Sequence, residues 1–147
     1  MEEYAVEAAG ALLAHAIFVI AREARILTQL AQNTEIGADA IRRVHRARQL
    51  LESSGQVPLS VEDAAESVGW SGDHLRRMFR QVLGASPSQV QLAARLGHAQ
   101  ALLRDEALPI AEVARQCGFD DASHFARVFK KETGLTPRQY ERLAKKL

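Results

Sequence analysis

Cysteine is nearly absent: Cys117 is the only one in 147 residues, which excludes an intrachain disulfide and any zinc site built on cysteine pairs. Proline occurs four times and aromatic residues make up 5% of the chain. The Val/Ile/Thr alternation that strands require is also scarce, so an all-helical chain is expected. Long hydrophobic runs are missing. The longest charge-free apolar stretch, Ala8–Ala21, is shorter than the about 20 residues that cross a bilayer. The start of the chain is acidic and shows no small-residue cleavage pattern after a basic segment, so no signal peptide is expected. The five histidines show no His-Glu-x-x-His or other ligand spacing, and no glycine-rich phosphate loop occurs. Cys117, just before Gly118, reads as a small buried residue rather than a nucleophile. No enzyme, cofactor, metal or catalytic residue is expected, and a soluble, cytoplasmic protein without membrane contact fits this composition.

Net charge is small too, +1 over the chain, but it is unevenly placed. Met1–Gln32 carries −2 and the remainder +3, and 15 of the 19 basic residues are Arg. Arg is the side chain whose planar fork matches phosphate and guanine.

Residues 1–34 form a first part of the chain, with one long helix predicted from Met1 to about Gln32. Leu12, Leu13, Ala16, Ile17, Ile20, Ala24, Leu27 and Leu30 recur three and four apart and make a wide apolar stripe. Asn33, Thr34 and Gly37 punctuate, and residues 38–147 form the second part. A helix capped by Asp39 is predicted to run to about Ser53, with Ile41, Val44, Ala47, Leu50 and Leu51 facing inward and Arg42, Arg43, Arg46 and Arg48 on the remaining surface.

From Ser60 the sequence repeats itself. An offset of 49 aligns Val61 with Ile110, Ala65 with Ala114, Gly69 with Gly118 and Trp70 with Phe119. One inserted residue then raises the offset to 50. It aligns His74 with His124, Leu75 with Phe125, Arg77 with Arg127, Phe79 with Phe129, Gly84 with Gly134, Pro87 with Pro137 and Gln89 with Gln139. Two copies of one structural unit are present. In each, a small Ala lets two helices approach closely, and a Gly four residues on supplies the positive φ of a sharp interhelical turn. This is the helix-turn-helix layout. The helix after the turn has two faces. Leu75, Met78, Phe79 and Val82 are predicted inward, with Asp73, Arg76, Arg77 and Arg80 opposite them. In the second copy Phe125, Val128 and Phe129 are inward, Ser123, Arg127 and Lys130 outward, and His124 and Lys131 flank them. The competing explanation is an ordinary solvated face, and a protein-interaction module on a helix-turn-helix scaffold is the alternative function. Gly84-x-x-Pro87 and Gly134-x-x-Pro137 stop one helix and start the next. A helix from Pro87 to about Arg104 links the copies, with Leu92, Leu96, Ala99, Leu102 and Leu103 along one side. Its length of roughly 27 Å is near the about 34 Å between successive major-groove faces of B-DNA.

These residues resemble the DNA-binding domain of the AraC/XylS family of bacterial transcription regulators. The resemblance is carried by Leu108–Tyr140, with its Gly118-Phe119 turn, Phe125-x-Arg127-x-Phe129-Lys130-Lys131 and Gly134-x-Thr136-Pro137. Leu59–Val61, Ala65, Gly69, Ser71, His74, Leu75, Met78, Phe79 and Gly84 extend it, as do Arg95, Leu96, Ala99, Leu102 and Leu103 in the linker. It implies seven helices in a double helix-turn-helix domain and promoter DNA of roughly 20 base pairs held through two adjacent major grooves. By position it implies base contacts from Asp73, Arg76, Arg77, Ser123, His124 and Arg127, with Asp73 also a candidate cap of its own helix. Phosphate contacts fall to Ser71, Arg80, Lys130 and Lys131. RNA polymerase is the further partner if the protein activates. The chain departs from the family pattern at Gly97, in mid-linker, and at Glu141, where Arg is common. Most members also carry a sensor domain, for which the segment before Asp39 is too short. Three readings of the N-terminal helix follow: a homodimerising element, additional core, or the end of a missing sensor domain.

Overall fold

Leu, Val, Ala and Phe recurring three and four apart are buried by helices that turn one apolar face inward. The computed structural model describes residues 19–24, 36–53 and 57–146. Helix α1 spans Ala38–Ser53, α2 Val61–Glu66, α3 Gly72–Leu83, α4 Pro87–Asp105, α5 Ile110–Gln116, α6 Ala122–Thr133 and α7 Pro137–Ala144. Residues 19–24 are also helical, and no strand occurs among the described residues. The rest of the predicted N-terminal helix, with Leu12, Leu13, Ile17, Leu27 and Leu30, lies outside them. The chain divides into two compact units, one taken from Ile20–Ala94 and one holding Arg95–Leu147.

In the first unit Val44, Ala47 and Leu51 of α1 close over Ala64 and Ala65 of α2 and over Leu75, Met78, Phe79, Val82 and Leu83 of α3. Val90, at the start of α4, completes this core. In the second unit Leu96, Ala99, Leu102 and Leu103 of α4, Val113 and Ala114 of α5, and Phe125 and Phe129 of α6 are buried. That interior is aromatic. Phe119, Phe125, Phe129 and Tyr140 follow one another at centroid separations of 5.1, 5.5 and 5.6 Å in tilted and edge contacts, the geometries that ring quadrupoles favour. The inward face predicted for α3 is buried throughout, whereas Val128 on α6 and Leu92 on α4 are half-buried.

The repeat is longer than the stretch that begins at Ser60. At an offset of 52, Arg43 matches Arg95, Val44 matches Leu96, Ala47 matches Ala99, and Leu50 and Leu51 match Leu102 and Leu103. Each unit is therefore three helices, α1–α3 and α4–α6, with the front of α4 closing the first and its rear opening the second. A shorter loop before α5 hides this when a single offset is used.

Both units turn the chain the same way. After α2 the Trp70 N–H donates to the Ala65 carbonyl at 2.9 Å, and after α5 the Phe119 N–H donates to the Ala114 carbonyl at 3.0 Å. Gly69 and Gly118 sit between at φ +75° and +76°, where a Cβ is strained. The next boundary is also duplicated. Gly84 and Gly134 end α3 and α6. Ser86 and Gln89 then exchange backbone and side-chain hydrogen bonds at 2.9 and 3.2 Å, as do Thr136 and Gln139. These capping boxes explain the aligned glutamines.

One boundary differs from expectation. Helix α1 starts at Ala38, with the Ala40 and Ile41 N–H groups donating to the Gly37 carbonyl, so Asp39 is not its cap. The Asp39 carboxylate instead accepts from Arg43 at 2.8 Å and Arg42 at 3.4 Å, inside the first turn where the helix dipole favours an anion. Gly97, on the exposed side of α4, has nothing within 4 Å of where a Cβ would be. Gly97→Ala is therefore expected to stabilise the protein by about 1 kcal/mol, read as a rise of a few degrees in melting temperature. An unchanged or lower melting temperature would show that the position needs Gly for another reason.

Candidate nucleic-acid interface

Helices α3 and α6, the third helix of each unit, carry the sequence-predicted site residues. Ser71 is the N-cap of α3, its Oγ accepting the His74 N–H at 3.2 Å. Asp73 is thus not the cap. Its carboxylate is almost fully exposed and accepts from Arg76 Nη1 at 3.1 Å. Arg76 also reaches back to α2, where Nη2 donates to Glu62 Oε1 at 2.5 Å. That bond holds the Glu62 carboxyl below its ordinary pKa and raises the guanidinium's. Arg77 is exposed, with Nη2 2.7 Å from His74 Nδ1. A guanidinium only donates, so Nδ1 is the acceptor in this contact. The same ring stands edge-on to Trp70 at 4.6 Å, which fixes its orientation and that of the Arg77 fork. Arg80 is exposed one turn further on.

In the second unit Asp121 caps α6, accepting the His124 N–H at 2.7 Å. Ser123, His124, Arg127, Lys130 and Lys131 are all exposed on α6. His124 lies edge-on to Phe119 at 5.8 Å, repeating the Trp70–His74 pair. Lys130 and Lys131 occupy the last turn, where cations suit the helix dipole. The outward residues expected on each helix do share one exposed face.

Two residues that sequence reasoning assigned to the surface, or only to a match, hold the turns themselves. Arg43 of α1 donates from Nη1 to the Val68 carbonyl at 2.9 Å, with its guanidinium 5.9 Å from the Trp70 ring centroid. Arg95 of α4 donates from Nε to the Cys117 carbonyl at 2.7 Å and from Nη2 to the Gly118 carbonyl, and it stacks over Phe119 at 4.0 Å. Each donates to carbonyls of the turn that follows the preceding helix. Burial pulls the Arg95 guanidinium below its ordinary pKa, yet it remains a cation at neutral pH. Their match at one offset was the signal that would have found them. Cys117 is buried beneath this clamp, and burial pushes its thiol up to about 11. Glu141, the departure from the family pattern, accepts from Lys145 at 2.5 Å on the exposed side of α7.

Two copies of one turn, each presenting a helix with an exposed basic face, define a DNA-binding helix-turn-helix protein. A model of the helix-turn-helix domain family matches residues 64–143. The HTH-type transcriptional activator RhaR of Escherichia coli O1:K1 is 36% identical over 93 residues, which cover 63% of this chain and 33% of RhaR. A transcriptional regulator from Chromobacterium violaceum with an AraC-type DNA-binding domain is similar in structure, with a TM-score of 0.68 and 32% identity over 74% of this chain and 96% of that one. The DNA-binding domain of AdpA, a global transcriptional factor solved in complex with a target DNA, has a TM-score of 0.59 and 26% identity, covering 72% of this chain and 92% of that one. The chain belongs to the AraC/XylS family of DNA-binding transcription regulators. It spans about a third of the length of the curated relatives it matches. Among the described residues no helix is long and apolar enough to cross a membrane.

Proposed function

We propose that the protein reads promoter DNA by placing α3 and α6 in two adjacent major grooves. One observation carries this reading: the same turn is built twice, and at the same repeat position each following helix exposes an Arg, Arg77 and Arg127, among further cations. Each Arg forks onto guanine O6 and N7. Ser123 and His124 add base contacts at the start of α6, and Asp73 accepts from cytosine N4 at the start of α3. Arg80, Lys130 and Lys131 bind phosphates, and the Ser71 hydroxyl, whose oxygen is already the cap, donates its proton to one. Selection of bound sites from a random duplex library tests the whole reading, and a chain that enriches no sequence would overturn it.

The division between base and phosphate contacts has its own test. Arg80→Ala and Lys130→Ala are expected to weaken binding to specific and scrambled duplexes alike. Each should lower the slope of log affinity against log salt by about one, the counterions of one phosphate. A variant that shifts base preference with its salt slope intact would reverse its assignment.

Residues 1–34 we read as a homodimerising element. Part of a Leu/Ile stripe, at about 1.5–3 kcal/mol per buried side chain, sustains micromolar pairing after the entropic cost of association. Two joined reading domains then gain avidity on a doubled site. Light scattering is expected to find a dimer for the full chain, and a monomer with weaker DNA affinity once residues 1–34 are removed. A monomeric full chain would rule the dimer out.

A further inference from the structure

The outward side of the first unit carries an ion pair that the fold does not require. Glu62 on α2 and Arg76 on α3 meet at 2.5 Å, and Asp73 joins them at 3.1 Å. All three side chains are largely solvated, at 65%, 45% and 97% exposure for Glu62, Arg76 and Asp73. Pairs this exposed contribute little to folding.

Gly72, the first residue of α3, makes room for the pair. A Cβ there would stand 3.0 Å from Glu62 Oε1 and 3.1 Å from Arg76 Nη1. The backbone gives no reason for Gly, because the positive-φ glycines are Gly69, Gly84, Gly118 and Gly134. The second unit supplies a control within the same chain. The positions that match Glu62, Gly72 and Arg76 are Ala111, Ala122 and Ala126. One backbone plan is thus built once with the carboxylate, the gap and the guanidinium, and once with three alanines. The turn and cap are formed in both, so the trio serves something other than the fold.

Its chemistry lies in charge. A guanidinium shared by two carboxylates is a cation withheld, since the Glu62 oxygen takes the place on Arg76 that a phosphate oxygen would take. Around Arg76 the trio carries net −1, whereas the matching positions Ala111, Ala122 and Ala126 place no such charge beside Arg127, Lys130 and Lys131 on α6. Non-specific affinity for a duplex comes from cations that release counterions, so withholding one lowers it.

We propose that Glu62 is a specificity-determining residue: by holding Arg76 away from phosphate, with Gly72 leaving space for the pair, it reduces the first unit's attraction to DNA of any sequence. The second unit then supplies the larger share of general affinity, and the first engages fully only where its base contacts are met. Arg76 is a positioned counterion in this scheme rather than a base reader. The inference rests on the DNA-binding reading given above.

Salt titrations of the full chain on specific and scrambled duplexes test it. Glu62→Ala is expected to steepen the salt slope by about one and to tighten binding to scrambled duplex up to about eightfold near 0.1 M salt, so discrimination falls. Arg76→Ala alone should leave the slope unchanged, and Glu62→Ala combined with Arg76→Ala should return it to the wild-type value. Gly72→Ala keeps every charge but crowds the pair, so its slope should move in the same direction as that of Glu62→Ala by much less than one. An unchanged slope in Glu62→Ala would overturn the proposal, as would a slope lowered by about one in Arg76→Ala, which would place Arg76 on a phosphate already. A wild-type chain without salt-dependent affinity for any duplex would overturn the DNA-binding reading itself.

Discussion

Arg127→Ala is expected to reduce the preference for specific over scrambled duplex by roughly 5- to 150-fold, the equivalent of about 1–3 kcal/mol for one forked guanine contact. Affinity for scrambled DNA should change far less. Arg77→Ala should act in the same direction. The two side chains differ in preparation, because His74 holds the Arg77 guanidinium at 2.7 Å and is itself fixed against Trp70. His74→Ala should therefore weaken discrimination through Arg77, and add little once Arg77 has been replaced. Lysine does not substitute at either position, since an ammonium cannot bridge O6 and N7 as a fork does. If Arg127→Ala and Arg77→Ala both kept wild-type preference, neither helix would be a reading helix.

Arg95→Ala should destabilise the second unit by about 3 kcal/mol. Hydrogen bonds to a charged donor contribute about 1.5–3 kcal/mol each, and a guanidinium stacked over a ring adds to them. Arg95 makes two such bonds, to the Cys117 and Gly118 carbonyls, over Phe119 at 4.0 Å. Arg43→Ala should cost less, about 1 kcal/mol, because Arg43 makes one turn contact and sits 5.9 Å from Trp70. Urea unfolding of both variants measures the difference. Arg95→Lys should recover only part of the loss, since a single ammonium cannot reach two carbonyls and lie flat on a ring. An Arg95→Ala protein as stable as wild type would show that the turn stands without its clamp.

The double helix-turn-helix was legible because its markers are local. Gly69 and Gly118 must adopt positive φ, Pro87 and Pro137 must start helices, and the apolar spacing on α3 fixes which side is buried. The outward residues were legible for the same reason, since helix periodicity alone places Arg77 and Arg127 opposite the core. Contacts between helices were not. Nothing in local spacing pairs Glu62 with Arg76, fourteen residues apart, or shows that Gly72 is small for the sake of that pair. Asp39 and Asp73 each looked like a cap from their position. Gly37 and Ser71 take those roles because both helices begin two residues earlier. Arg43 and Arg95 were hidden by a change of offset rather than by chemistry. Three residues fewer before α5 move the match from 52 to 49.

The scarcity of tryptophan and cysteine has an experimental use. The chain has one of each, Trp70 within Ile20–Ala94 and Cys117 within Arg95–Leu147, both at the interhelical turn of their unit. Trp70 fluorescence follows the first turn as it opens. The Cys117 thiol, shielded and pushed up to about 11, becomes accessible and returns to its ordinary, more acidic value only when the second turn opens. The sign of its titration agrees: above its ordinary value near 9 the unfolded chain releases this proton more readily than the folded one, so stability falls as pH rises toward 11. Unmodified protein therefore carries two built-in clocks, one in each unit. Coincident traces mean that the two units unfold as one cooperative body, and separated traces mean that one turn can open while the other stays folded.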